Sequence, residues 1–254
     1  MEITNLQGGQ LRTERAELDV ASLNKTFVLP LIGPNYHKNA MEQVDSQGLY
    51  RPTTAQVLSL VDFVLDNKEN PYCAKILRRF KRYLWTGTET TSFKDGAIVY
   101  DNIDGKMPSD SKGLIKLLDS GDKRVRLVKP GFESGNMSIS KFLKNSYTIA
   151  QIGEEMLPVA ERIAKAFDKT EAYVFGIDKE DLDEKRLTAV GSYWDDDRRL
   201  SLGGCFVGGC YFGYVSGVAP GRENEELIRL FEENKKLKER FLDQQADEED
   251  SALD

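Results

Sequence analysis

The sequence has little of the chemistry on which most enzyme and metal sites depend. Its 254 residues include one histidine, His37, and three cysteines. One histidine cannot supply a histidine-based metal cluster, and no serine or cysteine beside His37 in the sequence marks it as a general base. We therefore expect a loop histidine without a special role, no disulfide framework, and neither a metal nor a cofactor.

Long apolar runs and a secretory signal are also lacking. No apolar run approaches the roughly 18 residues that span a bilayer. The first 25 residues do not show the basic and then apolar layout of a signal peptide. The sequence thus predicts a chain without a membrane span that is synthesised as a soluble cytoplasmic protein, and it leaves export by a route without such a signal open.

An excess of positive charge is absent as well. The net charge is −7, and residues 222–254 carry 12 acidic against six basic side chains, so that this segment holds −6 and residues 1–221 hold −1. Proteins that follow the phosphates of nucleic acids carry basic surfaces instead. A nearly neutral body with an acidic tail therefore argues against a nucleic-acid partner.

Two helix starts are marked by capping residues. Thr53 or Thr54 caps an apolar helix, and Asn70 followed by Pro71 caps a second one, which we expect to reach Leu84. The second helix carries four basic side chains on its outer side, Arg78, Arg79, Lys81 and Arg82. This basic cluster is typical of a solvated helix face, and a patch for an anionic ligand is the alternative.

The rest of the body mixes one long helix with short strands. The helix is predicted over Thr148 to Phe167, with a kink at Pro158. Residues rich in threonine, aromatic and β-branched side chains predict paired strands at Trp85–Ser92 and Gly96–Asp101. Because strands and helices do not alternate regularly, the sequence predicts an α+β fold.

Three parts are predicted along the chain. Residues 1–25 form an N-terminal arm, and residues 26–220 form the main domain. Residues 221–254 form a charged helix followed by an acidic, disordered end. An apolar stripe within 223–242 favours self-association and packing on the same domain about equally.

Long flexible side chains are missing from residues 191–219. This segment contains no Lys, Glu, Gln or Met, although the chain has 20 Lys and 21 Glu, and it holds seven of the 21 glycines and six of the 24 aromatic residues. Rigid aromatic rings between turn-forming glycines are typical of binding loops, because they give contact area at a low entropic cost. A constant core hairpin has the same composition, so both interpretations stand at this point.

Two groups in this segment have chemistry of their own. Asp195, Asp196 and Asp197 offer oxygen ligands for Ca²⁺, but three consecutive carboxylates in regular structure cannot all face one ion. A solvent-exposed polar turn is therefore the favoured interpretation. Cys205 and Cys210 do not have the usual spacing of zinc ligands, and they suit a strained loop disulfide, exposed thiols or two neutral loop side chains.

The order of motifs in this segment resembles the end of a C-type lectin domain. Gly191, Ser192 and Trp194 match the strand end near Gly-Gly-Ser-Trp in such domains, with Tyr193 inserted before the tryptophan. Residues 215–218 stand for the last strand, in which the usual arginine is absent. The match is best with the formylglycine-generating-enzyme-like branch of these domains.

Within that branch, the sequence is most similar to the archaeal type of variable protein from diversity-generating retroelements. Gly48–Thr53 and Tyr83–Gly87 also resemble that group, so that the likeness covers most of residues 48–219. In those systems adenine-directed mutagenesis of Asn codons yields many amino acids but not Lys, Glu, Gln, Met or Trp. Residues 191–219 lack the first four, and Trp194 would be an unmutated scaffold position.

The resemblance implies a non-enzymatic ligand-binding protein with diversified loops on a C-type lectin-like domain of irregular short antiparallel strands and two to three helices. Its target would be a protein or a surface glycan. The implied scaffold positions are Trp194, Leu200, Leu202, Gly217 and Val218, with the apolar side chains in the core and with Gly203 and Gly217 allowing turns. The implied ligand-binding positions are Ser192, Tyr193, Asp195, Asp196, Asp197, Arg198, Cys205, Phe206, Cys210, Tyr211, Phe212 and Tyr214. All of them except Ser192 and Arg198 are expected to be exposed on one face. The alternative is that Phe206, Phe212 and Tyr214 belong to the core, and alternation along a strand favours this for at least one of the three.

Two other functions stand as alternatives. A formylglycine-generating type of oxidase would use Cys205 or Cys210 with a metal or oxygen, although neither has a basic neighbour that would activate a thiol. A Ca²⁺-dependent carbohydrate-binding lectin would use Asp195 to Asp197 as its calcium ligands.

Overall fold

The computed structural model describes residues 3–12, 17–174, 185–192, 199–206 and 213–220, with the backbone alone for 204–206. By their contacts, residues Met1–Ala219 form one unit and Pro220–Asp254 a second one. Within the described ranges the chain forms a mixed sheet of twelve strands together with seven α-helices, so the fold is α+β. The expectation of two to three helices and of antiparallel strands alone is wrong, because the described residues form seven α-helices and two parallel strand pairs. The helix and acidic end predicted for 221–254 lie outside the described residues.

The strands are β1 (Ile3–Leu6), β2 (Gly9–Arg12), β3 (Glu17–Val20), β4 (Lys25–Asn35), β5 (Leu84–Phe93), β6 (Gly96–Asp101), β7 (Val125–Val128), β8 (Gly135–Ser138), β9 (Glu171–Val174), β10 (Lys185–Gly191), β11 (Arg199–Phe206) and β12 (Gly213–Val218). The α-helices are α1 (His37–Ser46), α2 (Thr54–Asp66), α3 (Pro71–Phe80), α4 (Ser111–Asp119), α5 (Ile139–Phe142), α6 (Ser146–Ile152) and α7 (Leu157–Ala166). None of the helices in these ranges combines the length and the apolar character that a membrane crossing requires.

The first strands and the last strand of the described chain belong to the same sheet. Its strands follow the order β1-β2-β3-β4-β12-β5-β10-β11-β9-β8, and β6 and β7 continue from β5. The pairs β11–β9 and β12–β5 are parallel, whereas the other pairs are antiparallel. The predicted N-terminal arm supplies three of these strands, and Leu18 of β3 lies opposite Phe27 of β4. Residues 3–12 and 17–20 are therefore part of the sheet.

The three central strands β5, β10 and β12 are buried on both faces. Successive strand residues point to opposite faces. Leu84 and Tyr214 accordingly pack in the cluster that contains α2, α6 and α7, whereas Trp85 and Val215 pack against α1 on the other face. Because neither face of β12 is open to solvent, this strand has only glycine, valine, serine and tyrosine and no charged side chain. Part of the unusual composition of 191–219 is therefore the composition of a core.

Both predicted helix starts occur in the structure. Thr53 caps α2 in a capping box, in which its side chain accepts from the Gln56 N–H and the Gln56 side chain accepts from the Thr53 N–H. Asn70 caps α3 through its side-chain oxygen. The helix ends at Phe80, earlier than predicted, because Leu84 begins a strand of the central sheet.

The predicted long helix from 148 to 167 is instead two helices. α6 ends at Ile152, and Gly153 follows with a φ of +82°, a backbone conformation that glycine adopts at low cost. Pro158 lies in the first turn of α7, where a missing N–H costs no helical hydrogen bond. The predicted kink at Pro158 is therefore wrong, because this proline lies at a helix start.

A buried polar cluster lies along β5. Glu89 is 1% exposed, its Oε2 lies 2.6 Å from Lys185 Nζ, and its Oε1 accepts from Asn102 Nδ2 at 3.3 Å. Nearby, Gln151 bridges two strands, since its Nε2 donates to Thr90 Oγ1 at 2.9 Å and its Oε1 accepts from Thr188 Oγ1 at 3.0 Å. These partners satisfy polar groups that burial would otherwise destabilise.

Candidate functional site

One end of the central strands gathers the residues that flank the undescribed parts of 191–219. Ser192 and Arg199 flank 193–198, and Gly213 follows 207–212. In the sheet register, the end of β10 and the start of β12 both lie opposite the start of β5, and the start of β11 pairs with the end of β10. The three flanking residues therefore lie at the same end of the sheet, which we call the loop end.

Backbone hydrogen bonds hold two of these strand ends in place. The Ser192 N–H donates to the Phe80 carbonyl at 2.9 Å, and the Tyr214 N–H donates to the Tyr83 carbonyl at 2.9 Å. Phe80 is the last residue of α3, and Tyr83 ends the short connection from α3 to β5. This connection therefore ties the end of β10 to the start of β12.

Two glycines allow close packing at the loop end. A Cβ on Gly191 would collide with the carbonyl oxygen of Arg82, and a Cβ on Gly213 would lie 2.5 Å from Trp85 Nε1. The same Trp85 nitrogen donates to the Asn35 carbonyl at 3.0 Å. Larger residues at either position would displace backbone or a hydrogen-bonded ring, so the strand ends need glycine there.

Two of the predicted ligand-binding positions are buried. Ser192 is 4% exposed and Tyr214 is 3% exposed. The expected exposure of Tyr214 is therefore wrong, and the alternative of a core position is correct for this residue. Strand alternation turns Tyr214 toward α3. There the Arg79 guanidinium lies 4.3 Å from the ring centroid, and its Nη1 donates to the Tyr214 hydroxyl at 2.7 Å.

Apart from Trp194, which lies outside the described residues, the predicted scaffold positions lie in β11 and β12. Gly203 and Gly217 stand inside these strands, so the expectation that they allow turns is wrong. Gly217 instead allows a close approach, because a Cβ there would collide with the side chain of Leu49. The three apolar scaffold side chains have exposed fractions of 1%, 2% and 2% for Leu200, Leu202 and Val218.

The remaining predicted positions have only a backbone description or none. Cys205 and Phe206 lie in β11, opposite Leu187 and Arg186 of β10. The others lie outside the described residues: Tyr193, Trp194, Asp195, Asp196, Asp197, Arg198, Cys210, Tyr211 and Phe212. In the part of the chain that is described, no group of three or more His, Cys, Asp or Glu side chains could hold a metal ion.

The basic cluster noted in the sequence lies at the loop end, a location that sequence reasoning missed. Its members surround Phe80 and precede Tyr83, the residues whose carbonyls hold the two strand ends. Each is exposed, and among the described residues none of them forms an ion pair. We call Arg78, Arg79, Lys81 and Arg82 the basic ridge.

The single histidine is packed into the fold. His37 begins α1 and is 6% exposed, so the expectation of a loop histidine is wrong. Its Nε2 lies 3.0 Å from the Thr86 carbonyl, and its ring meets Trp85 edge-on at a centroid distance of 5.3 Å. Burial lowers the pKa of His37 to about 4. At neutral pH the ring is therefore uncharged, and Nε2 donates to the carbonyl.

No family model and no curated protein matches the chain. Among solved structures, the chain is similar to one described as the accommodation of massive sequence variation in Nanoarchaeota by the C-type lectin fold. The two are 16% identical, with a TM-score of 0.48 over 75% of this chain and 97% of that one. An identity and a TM-score this low assign neither a family nor a function.

Proposed function

We propose that this chain is a non-enzymatic ligand-binding protein that displays a variable surface on a C-type lectin-like scaffold. The variable surface lies within residues 193–198 and 207–212, in which Trp194 is a constant scaffold position. A retroelement of the type whose variable proteins the sequence resembles diversifies this surface. The strands β10, β11 and β12 are the constant part, and the ligand is a protein or a surface glycan.

The observation that carries this proposal is the burial of the strand residues around the two stretches. In 200–203 and 213–218 every residue is buried. Burial alone accounts for the lack of long charged side chains at these positions. The same lack in 193–198 and 207–212 needs a further cause, because 54 of the 254 residues are Lys, Glu, Gln or Met against none of these twelve. Adenine-directed mutagenesis of Asn codons is such a cause.

The packing at the loop end supports a display role. A surface that changes in sequence needs attachment points whose conformation does not depend on it. Ser192 and Tyr214 have such support from the carbonyls of Phe80 and Tyr83. The histidine also favours binding over catalysis, because the buried ring of His37 is engaged by Thr86.

Two matched libraries test the division between scaffold and displayed surface. One randomises 193–198, except Trp194, and 207–212 with the amino acids that mutated Asn codons encode. The other randomises buried positions of 200–203 and 213–218 with the same amino acids. We expect most members of the first library to keep a cooperative unfolding transition and most members of the second to lose it, since a buried substitution costs about 1–5 kcal/mol.

Equal loss of folding in the two libraries would contradict the proposed division. Members of the first library that remain folded are then selected against immobilised proteins and glycans. Binders whose affinity depends on 193–198 or 207–212 support the binding role, and a folded library that yields none argues against it.

The genomic locus tests diversification separately. We expect a near-copy repeat of the coding region for 191–219 and a reverse-transcriptase gene beside this gene. A locus without the repeat would remove the retroelement from the proposal and would leave the binding role to the library selection.

A further inference from the structure

We infer that the basic ridge is a constant part of the binding surface and that it takes an acidic segment of a protein partner. The inference rests on the proposed function for the position of the ligand at the loop end. It depends on described residues alone for the chemistry, because all four ridge residues lie in the described chain.

The location of the ridge places it beside any ligand held at the loop end. Phe80 lies between the ridge residues in the sequence, and Tyr83 follows them. The Phe80 carbonyl accepts from the Ser192 N–H, and the Tyr83 carbonyl accepts from the Tyr214 N–H. The Arg82 carbonyl in turn contacts Gly191. The ridge is therefore fixed to the strand ends that carry 193–198 and 207–212.

The charge of the ridge exceeds what its helix needs. Arg78 and Arg79 lie in the last turn of α3, where a cation interacts favourably with the helix dipole. That dipole amounts to about half an elementary charge at the C-terminus. The ridge therefore has four exposed cations, none of them in an ion pair with a described carboxylate, and the helix dipole offsets only part of their charge.

Arginine predominates in the ridge, which suits carboxylates. A guanidinium presents a planar fork that pairs with a carboxylate through two parallel hydrogen bonds. Arg79 is also oriented in advance, because its Nη1 donates to the Tyr214 hydroxyl at 2.7 Å and its guanidinium stacks on that ring. A side chain held in this way loses less entropy when it binds.

An exposed tyrosine at the loop end favours a protein partner. Tyr36 is 49% exposed and follows Asn35, which lies opposite Gly213 in the sheet. Tyrosine and arginine are the residue types that most often dominate protein–protein interfaces. A long polyanion would extend beyond the four ridge cations over a body whose net charge is −1, so its additional charges would gain little attraction. A short acidic segment of a protein is therefore the partner that this surface suits.

A charge-reversal experiment on the full chain tests the inference. The probe is a fluorescein-labelled peptide of alternating Glu and Ser, followed by fluorescence anisotropy, with the matching Gln and Ser peptide as a neutral reference. The ridge variant is Arg78→Glu/Lys81→Glu/Arg82→Glu, which leaves the Arg79–Tyr214 contact in place. The matched control is Lys112→Glu/Lys116→Glu/Lys123→Glu, three exposed lysines on and after α4 with the same change in net charge.

We expect the ridge variant to bind the acidic peptide at least about tenfold more weakly than the parent, and the control variant to differ by less than about threefold. Raising the salt concentration from about 0.1 M to about 1 M shortens the Debye length from about 10 Å to about 3 Å and should weaken binding by the parent. Equal losses in the two variants, or no preference for the acidic over the neutral peptide, would overturn the inference. Tighter ridge-dependent binding of a sulfated polysaccharide than of the peptide would overturn the assignment of a protein partner.

A fourth protein separates this inference from the proposed function. In it, Gly and Ser residues replace 193–198 and 207–212. Retained, ridge-dependent binding of the acidic peptide supports the ridge whatever the two stretches do. If the replacement abolishes binding and the ridge variant binds normally, the ridge inference is wrong and the displayed stretches alone bind.

Discussion

At the scale of single residues, His37 couples the stability of the fold to pH. Burial lowers its pKa from 6.5 to about 4. Between these values the unfolded chain binds a proton that the folded chain does not, so acid favours unfolding. The stabilisation from His37 is therefore fully present above pH 6.5 and is lost as the pH falls toward 4.

Replacement of the ring by a neutral amide tests this coupling. His37→Gln keeps a donor for the Thr86 carbonyl but removes the titration. Between pH 7 and pH 4 we expect the free energy of unfolding of the parent to fall by up to about 3 kcal/mol more than that of the variant. Urea unfolding at several pH values measures it. Parallel pH profiles of the two proteins would show that His37 does not titrate in this way.

Sequence reasoning at this scale works where the partner is local. Thr53 and Asn70 each cap a helix through backbone groups two or three residues away, so composition and spacing suffice. Tyr214 depends instead on Arg79, 135 positions earlier, and no local pattern indicates that contact. Strand alternation indicated that at least one of Phe206, Phe212 and Tyr214 is buried, but it did not identify Tyr214 as that residue.

At the scale of elements, the pair of Glu89 and Lys185 joins β5 to β10. Glu89 is buried, whereas the Lys185 side chain is 29% exposed. Removing the lysine charge leaves a buried carboxylate without its cation, which is more costly than removing both charges. The lysine charge therefore stabilises the centre of the sheet mainly by compensating the buried carboxylate of Glu89.

A double-mutant cycle measures the coupling. We expect Lys185→Met to lower the free energy of unfolding by about 2 kcal/mol, less than for a fully buried pair because Lys185 is partly exposed. Glu89→Gln/Lys185→Met should recover much of this loss, since the amide is neutral and still accepts from Asn102. Additive effects of Glu89→Gln and Lys185→Met in chemical denaturation would show that the two side chains are not coupled.

The helices show a limit of periodicity as a predictor. The apolar spacing from Thr148 to Phe167 continues across Gly153, because α6 and α7 both pack in the same cluster. The apolar periodicity therefore indicates that α6 and α7 face the same core, and it does not indicate that the helix is interrupted at Gly153. The α+β class could be predicted because it depends on the number and order of such elements, whereas the sheet order depends on contacts between distant strands.

At the scale of the whole molecule, the N-terminal strands share a core with the helices. Leu11 and Leu18 are buried at 1% and 0% exposure in a cluster with residues of α2 and α3. Residues 3–12 and 17–20 are an extension of the sheet in which β3 pairs with β4. We therefore expect these strands to unfold together with the central sheet in a single transition.

A pair of substitutions in these strands tests that expectation. Leu18→Ala removes a buried side chain and should cost about 2–5 kcal/mol. Ile3→Ala, at a position that is 42% exposed, should change the free energy of unfolding by less than about 0.5 kcal/mol. The Leu18→Ala loss should appear equally in far-UV circular dichroism and in tryptophan fluorescence, because Trp85 lies in the central sheet, far along the chain from the substitution. If the two probes gave separate transitions, or if Leu18→Ala cost no more than Ile3→Ala, the N-terminal strands would fold independently of the sheet that carries the loop end.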